Sequence, residues 1–555
     1  MKHIIIFSIA FSILFFTSPP TISAQENASR YKIGPTEETI FSDLIVEFLG
    51  ESNSNYLVLR QTEYVAGENA FYLQEIDKTS LATVQKKKLE GFGLEDYHYS
   101  GMEYTAKGLF LEFSFFFSPY KRDLGDEPFR YLKEFRLDLP GLTLVEDSIS
   151  IRELQDVESK YRVIPDGSAI RYPLMRLGKS PNVISFCSLC GANYGELNNI
   201  TPSSLAYQSF HDLYLDGSGR SINIPPSLNL ASGDLYTLKI DNSKEDQSKA
   251  KFILKLKNVL NENEDSLEVE VQKDYRLSHG ILMKADAQHI AIVGYYSESA
   301  DPKVFAGVFY IKVDPTMRRI IQETYHPFSE ETLSQIFTES TLKRKRKRLK
   351  AKGLTRYTEI GIPSLKIGRM LIAKNGNIMI VSEQNRISRA RPADADPIEP
   401  NYNLDVISDN LIVTTLSSSG SFAWEAVVKK KQKLNADEKR WGQYAVGFDG
   451  DNLYFVFNDH ADNQNKEVHE EFTKYLPYYG KGAINTMYVK VDSEGNTTRK
   501  LLVRRSKTDV DIAPSIFFQP TDKELIIMTS QRLKRVGITR GRAKSRLGLI
   551  KVYLE

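Results

Sequence analysis

A seven-residue phrase returns along this chain and limits what it can fold into. Phe71-Tyr-Leu-Gln-Glu-Ile-Asp77, Leu235-Tyr-Thr-Leu-Lys-Ile-Asp241, Val308-Phe-Tyr-Ile-Lys-Val-Asp314 and Thr486-Met-Tyr-Val-Lys-Val-Asp492 are its strong copies, with weaker echoes at 132–138 and 548–554. Each reads as a period-two strand ending in an Asp that opens a turn by bonding its own backbone. A second phrase precedes several of these. Lys284–Gly294, Ala373–Glu383, Phe448–Phe457 and Gln519–Met528 each run from a polar turn into a nearly continuous apolar stretch, the pattern of a strand buried on both faces. One strand pair of this kind cannot cover its own faces, but copies stacked side by side can.

Alternation of the two phrases gives units of roughly 50–75 residues, near the span of a four-stranded propeller blade once insertions are allowed. The units fall at 45–95, 98–155, 160–225, 226–278, 280–360, 362–438 and 440–508, and the tail 510–555 supplies strands able to close the ring with the N-terminal segment. The fold class is therefore all-β, a β-propeller over 25–555. Seven blades are expected; six or eight stay open because 160–278 repeats poorly, and two β-sandwiches are the competing architecture. Tyr and Phe, 29 each, suit strands. Trp-Asp and Gly-Gly dipeptides are absent, which argues against WD40 and kelch repeats.

One insertion, at about 327–355, differs in kind. Ser329 to Lys350 reads as one helix, with Leu333, Ile336 and Phe337 on one face and acids at its start. It ends in Lys343, Arg344, Lys345, Arg346, Lys347, Arg348, Lys350 and Lys352. Two readings of this run stand side by side: a solvated helix end docked on an acidic, exposed loop at 392–409, or a surface for anionic lipid headgroups, acidic polysaccharide or an acidic partner. The cluster Arg532, Lys534, Arg535, Arg540, Arg542, Lys544 and Arg546 either extends that surface or forms a charged hairpin.

The first residues read as an export signal: Lys2, an uncharged stretch from Ile4 to Phe16, then Ile22-Ser23-Ala24 before Gln25, with cleavage after Ala24. The stretch is too short to span a bilayer as a helix, and no later one is long and apolar enough. The expected location is periplasmic, outer-membrane-associated or secreted. Export weakens the nucleic-acid reading of the basic run, and 73 basic against 71 acidic residues give no global pull on a polyanion. It also makes Cys187 and Cys190, the two cysteines, candidates for a local disulfide rather than a zinc site, which needs about four ligands.

No catalytic constellation stands out. There is no Gly-x-Ser-x-Gly elbow, no phosphate-cradling loop and no His-Glu-x-x-His. Asp459, His460 and Asp462 gather potential metal ligands, but not at EF-hand spacing, and Asn458-Asp459 after an apolar run reads as a turn. No cofactor or metal is expected. Three readings of function follow: a non-catalytic binding or scaffold propeller for a protein or glycan of the cell envelope, an envelope polysaccharide hydrolase or lyase with carboxylates on blade loops, or a tether through the basic helix.

Asp409–Trp424, Val428–Gln432, Tyr444–Phe448, Leu453–Asp459 and Ile380–Gln384 together resemble a group of exported, propeller-like proteins of the Bacteroidota that have no assigned reaction. The resemblance is specific over about 280–510. It implies an exported, envelope-associated protein and carries no catalytic residue across; Trp424, Gln432, Asn458 and Asp459 are the positions that match. If the signal is cleaved as read, intact-mass measurement of the chain from an exporting host will show Gln25 as its first residue; a start at Met1 would refute the cleavage site.

Overall fold

The computed structural model describes most of residues 30–89, separate strands between 98 and 270, and most of 275–555, with 352–359, 391–402, 436–440, 477–482 and 533–543 outside the description. The proposed cleavage site, Cys187, Cys190 and Lys352 also lie outside it. Strands are the dominant element.

Seven antiparallel sheets of four or five strands follow one another among the described residues. Sheet I comprises Leu44–Glu51, Asn55–Glu63, Asn69–Asp77 and Thr83–Lys88. Sheet II runs from His98 to Glu146 and gains Ile184–Ser185 at its edge; sheet III runs from Ser227 to Glu270. Sheet IV is Arg276–Lys284, Ile290–Ser297, Gly307–Asp314 and Arg319–Pro327. Sheet V is Leu365–Ile372, Ile378–Ala390, Asn403–Leu416 and Phe422–Val428, with Gln432–Asn435 also paired to the third strand. Sheet VI is Ala445–Phe448, Leu453–His460, Ile484–Val491 and Thr497–Arg504. Sheet VII takes Asp511–Thr521, Glu524–Arg532 and Lys544–Tyr553 from the C-terminus. Its fourth strand comes from the other end of the chain: Tyr31–Ile33 pairs with Lys544–Tyr553, Tyr31 opposite Val552 and Ile33 opposite Ile550.

That pairing closes a β-propeller. The first strand of sheet VII touches the first strands of both sheet VI and sheet I. Phe518 of sheet VII stacks on Phe48 of sheet I, with ring centres 4.0 Å apart. The tail therefore forms a sheet of its own. Of the unit expected at 160–225 the described strands are Ile184–Ser185, at the edge of sheet II, and Tyr214–Leu215 and Ser221–Ile222, which pair with each other; the rest lies outside the description.

The two sequence phrases recur at similar places in the sheets. The apolar runs become second strands; Ile290–Ser297 is buried throughout and Leu453–His460 up to its last residue. The Asp-ending phrase becomes the third strand at Phe71–Asp77, Val308–Asp314 and Thr486–Asp492, whereas Leu235–Asp241 lies in the second strand of sheet III. Asp77, Asp314 and Asp492 each accept two turn amides, Asp492 those of Glu494 and Asn496 at 2.9 and 2.8 Å. Burial pulls the Asp492 carboxyl upward, but the Asn496 side chain and the turn amides outweigh it and hold the group below the usual carboxylate range. The core fills the spaces between neighbouring sheets. Val381 and Val413 of sheet V, Phe455 and Met487 of sheet VI, and Ile527 and Ile550 of sheet VII form one apolar cluster.

Neighbouring sheets are also clasped. The fourth strand of one sheet donates to backbone carbonyls in the third-to-fourth turn of the next. Gln322 and Thr324 of sheet IV reach the Ser419 and Gly420 carbonyls of sheet V. Trp424 Nε1 of sheet V donates to the Ser493 carbonyl of sheet VI at 2.9 Å. Across the closure, Lys32 of sheet VII donates to the Thr79 carbonyl of sheet I at 2.6 Å.

Two receiving turns carry a glycine at positive φ pressed on the preceding sheet. A Cβ on Gly420 (φ +78°) would enter the Tyr310 ring, and one on Gly495 (φ +90°) would lie 2.8 Å from Trp424 Cε3. Gly376 (φ +83°) has an equally unusual backbone, but the nearest atom to such a Cβ is 3.5 Å away. Gly376→Ala should therefore cost only the backbone strain, about 1 kcal/mol, while Gly420→Ala should cost roughly 2–4 kcal/mol because Tyr310 is buried and cannot yield. Urea denaturation of the two variants checks this; equal losses would remove the clasp as a source of stability.

Candidate functional site

Strand direction alternates, so first-to-second and third-to-fourth turns lie at one end of each sheet and all other connections at the opposite end. At the first end the turns are short: 285–289, 373–377 and 449–452, then 315–318, 417–421 and 492–496. The opposite end carries 328–364, 391–402, 429–444 and 461–483. Variable chemistry is concentrated at this loop end.

The insertion at 328–364 is two helices, α1 (Glu330–Ile336) and α2 (Glu339–Ala351), rather than the single helix expected over 329–350. Phe337 leaves α1 in an extended conformation, and the Thr338 hydroxyl then caps α2 by accepting from the Thr341 amide at 3.3 Å. The apolar residues pack as the sequence implies: Leu333 and Leu342 are buried in the core between sheets IV and V, with Ile336 and Phe337 against it.

Polar contacts fix α1. Ser329 caps it, and Glu425 of sheet V accepts from the Ser329 amide and hydroxyl and from the Thr332 hydroxyl, the last at 2.8 Å. Burial pushes the Glu425 carboxyl up, opposed by those donors. Lys429 donates to the Gln335 carbonyl at the other end of α1. The insertion is thus seated on the sheet that follows it.

The structure divides the basic run. Lys343 pairs with Glu339 at 2.6 Å, Arg346 pairs with Glu330, and Lys345 lies 4.6 Å from the centre of the Phe337 ring. Arg344, Lys347 and Arg348 are exposed. Lys350 lies on α2, and nothing is described of its side chain. The acidic loop expected at 392–409 is in part a strand: 403–409 belongs to sheet V, where Asp405 is buried and pairs with Lys433 at 2.8 Å.

Beneath the loops lies a buried polar layer that no spacing rule revealed. Lys430, whose side chain is 0% exposed, pairs with Glu383 and donates to Ser408 and Gln432. Gln432 donates to the Asn458 carbonyl at 2.7 Å and accepts from the Gln443 amide at 2.9 Å. Asn458 donates to the Trp441 and Ile512 carbonyls and accepts from Thr486. Asn458 and Asp459 do not form a turn; both are buried within a strand. Asp459 binds Arg499, which lies near the Phe457 and Phe472 rings, and also accepts from Asn463. Burial raises the Asp459 carboxyl against the pull of Arg499.

The three metal-ligand candidates do not converge, although His460 Nδ1 lies 3.4 Å from the Asp462 carboxylate. Asp459 is engaged by Arg499, His460 Nδ1 accepts from the Asp462 amide at 3.3 Å, and the Asp462 side chain is 67% exposed. Among the described residues no group of three His, Cys, Asp or Glu is placed to hold a metal. A small cavity opens beside this layer, lined by Trp441, Asn458, Tyr475, Thr486 and Ile512, with the Arg505–Asp511 ion pair at its wall. Among the described residues no helix is long and apolar enough to cross a membrane.

No family model and no curated protein matches the chain. Among solved structures, a Synechocystis apocarotenoid oxygenase mutant is similar at 9% identity and a TM-score of 0.28, over 95% of this chain and 93% of that one. The WD40 domain of SCAP from fission yeast aligns at 7% identity and 0.27, over 94% and 98%. The β-propeller domain of the Trilobed protease from Pyrococcus furiosus aligns at 8% and 0.21, over 78% and 92%. Likenesses this distant carry no argument about function.

The buried layer yields a direct test. Lys430→Met leaves Glu383 charged and buried without its partner, so the loss should be about 3–5 kcal/mol, and Lys430→Met with Glu383→Leu should recover most of it. Equilibrium denaturation of both variants decides; a loss below ~1 kcal/mol in the single variant would mean that the pair behaves as a surface contact.

Proposed function

We propose that the chain is an exported cell-envelope protein that acts as a non-catalytic binding platform, its loop end serving as the recognition surface for a protein or glycan. The observation that carries this reading is the asymmetry of the ring. One end is finished by short turns engaged in the clasps, while the long connections gather at the other and include a two-helix insertion held by Glu425 and Lys429. A surface held this way loses little conformational freedom on binding. The export signal read at 1–24 supports the address.

The carboxylates best placed beneath the loop end support binding over hydrolysis. Glu383 and Asp459 are already engaged by Lys430 and Arg499, so neither is free to donate a proton to a glycosidic bond or to attack it. The deciding experiment is a thermal-shift screen against glycans, peptides and envelope fractions, with turnover measured in parallel. A true ligand at 100 times its Kd should stabilise the chain by about 2.7 kcal/mol. Substitutions at the loop end should remove that shift, and substitutions in the short turns should not. Turnover of a glycan or peptide, abolished by one acidic substitution at the loop end, would replace this reading with the hydrolase or lyase.

A further inference from the structure

The helical insertion carries more charge than its fold consumes. Leu342 is buried, and at 3.6 residues per turn Arg344 points to nearly the opposite side of α2. Lys347 and Arg348 follow at i+3 and i+4 and share the Arg344 face. Among the described residues no acid engages these three, whereas Lys343 and Arg346 are paired with Glu339 and Glu330. The potential here is high enough to act on a neighbour. Burial, then repulsion from Arg344 and Arg348, holds the Lys345 ammonium below its usual range.

The face is also fixed in place. Leu342 anchors α2 in the core, Arg346 ties it to α1, and α1 is bound at both ends to sheet V through Glu425 and Lys429. We propose that the Arg344, Lys347 and Arg348 face of α2 is a preorganised site for a linear polyanionic polysaccharide, lying along the helix and held by its carboxylate or sulfate groups. This deepens the platform reading and rests on it for the position of α2 at the loop end.

A membrane surface fits less well. Among the described side chains, Leu342 is in the core and Phe337 lies beneath Lys345, so neither is available for insertion between lipids. Three exposed cations alone give only weak adsorption to headgroups. A polymer needs no insertion and can meet all three charges at once.

Heparin serves as the probe, with phosphatidylglycerol vesicles as the competing surface. The full chain should bind heparin at low ionic strength and release it as salt rises, because binding displaces counterions from the polymer. Replacing Arg344, Lys347 and Arg348 together with Ala should weaken binding by tenfold or more, at an unchanged melting temperature since all three are exposed. Removing the same charge elsewhere, with Lys500→Ala, Arg504→Ala and Lys523→Ala, should change affinity less than about twofold. Equal losses in the two triple variants would reduce the effect to net charge and overturn the site. Vesicle binding that depends on α2, without heparin binding, would assign the face to lipid instead. No binding to either probe overturns this proposal alone; the platform reading falls only if its own screen yields no ligand or yields turnover.

Discussion

The hydrogen bonds between Tyr31–Ile33 and Lys544–Tyr553 are the constraint on which the ring depends. Without them sheet VII would end in an exposed strand edge, a template for pairing with other chains. The apolar space between sheets VII and I would also lose a wall: Phe48 stacks on Phe518, Tyr56 donates to Glu524, and Lys32 and Lys551 reach the Thr79 and Lys78 carbonyls. These contacts join residues near the two ends of the chain. Sheets I and VII, the two ends of the row, become each other's neighbours only through this closure.

Within that circle, hydrogen bonds carry the directional part of the packing and apolar side chains the bulk. Interleaved aliphatic and aromatic residues fill the gaps between sheets without fixing how one slides against the next. The clasps add that register, since a turn carbonyl accepts from one particular side chain of the preceding sheet. The buried layer extends the same logic inward. Lys430 and Glu383 lie within one sheet, but Gln432 carries the network to the Asn458 carbonyl of the next, and Asn458 carries it to the Ile512 carbonyl of the one after. Three sheets are joined by a continuous polar chain whose ions would be costly to bury singly.

The strands and turns were legible in the sequence because their chemistry is local. An Asp that bonds amides two to four residues ahead, after an alternating strand, carries its signal in one short window; closure by the tail was legible instead from strands left over after the last whole repeat. The errors share a different cause. Asn458-Asp459 reads as a turn by composition, yet a guanidinium forty residues away, the Trp441 carbonyl of a connection and the Ile512 carbonyl of another strand make its burial tolerable. Asp405, within a stretch that reads as an acidic loop, is drawn into a strand by Lys433. The helix break at Phe337 was visible in principle, because Thr338 followed by Glu339 is an N-cap signal, but the long amphipathic pattern masked it. Of the positions singled out by the family resemblance, Trp424 clasps the next sheet, Gln432 and Asn458 bond each other, and Asp459 holds Arg499. All four make contacts that join strands or sheets.

The closing pair also imposes an order in time. A ribosome delivers Tyr31 long before Val552, so the first strand made has no partner until nearly the last residue has been added. The circle cannot form around a half-made chain. The apolar gap between sheets VII and I can be sealed only once Asp511–Tyr553 is present, so the ring closes last even though sheets I, IV, V and VI are each built from strands near one another in sequence.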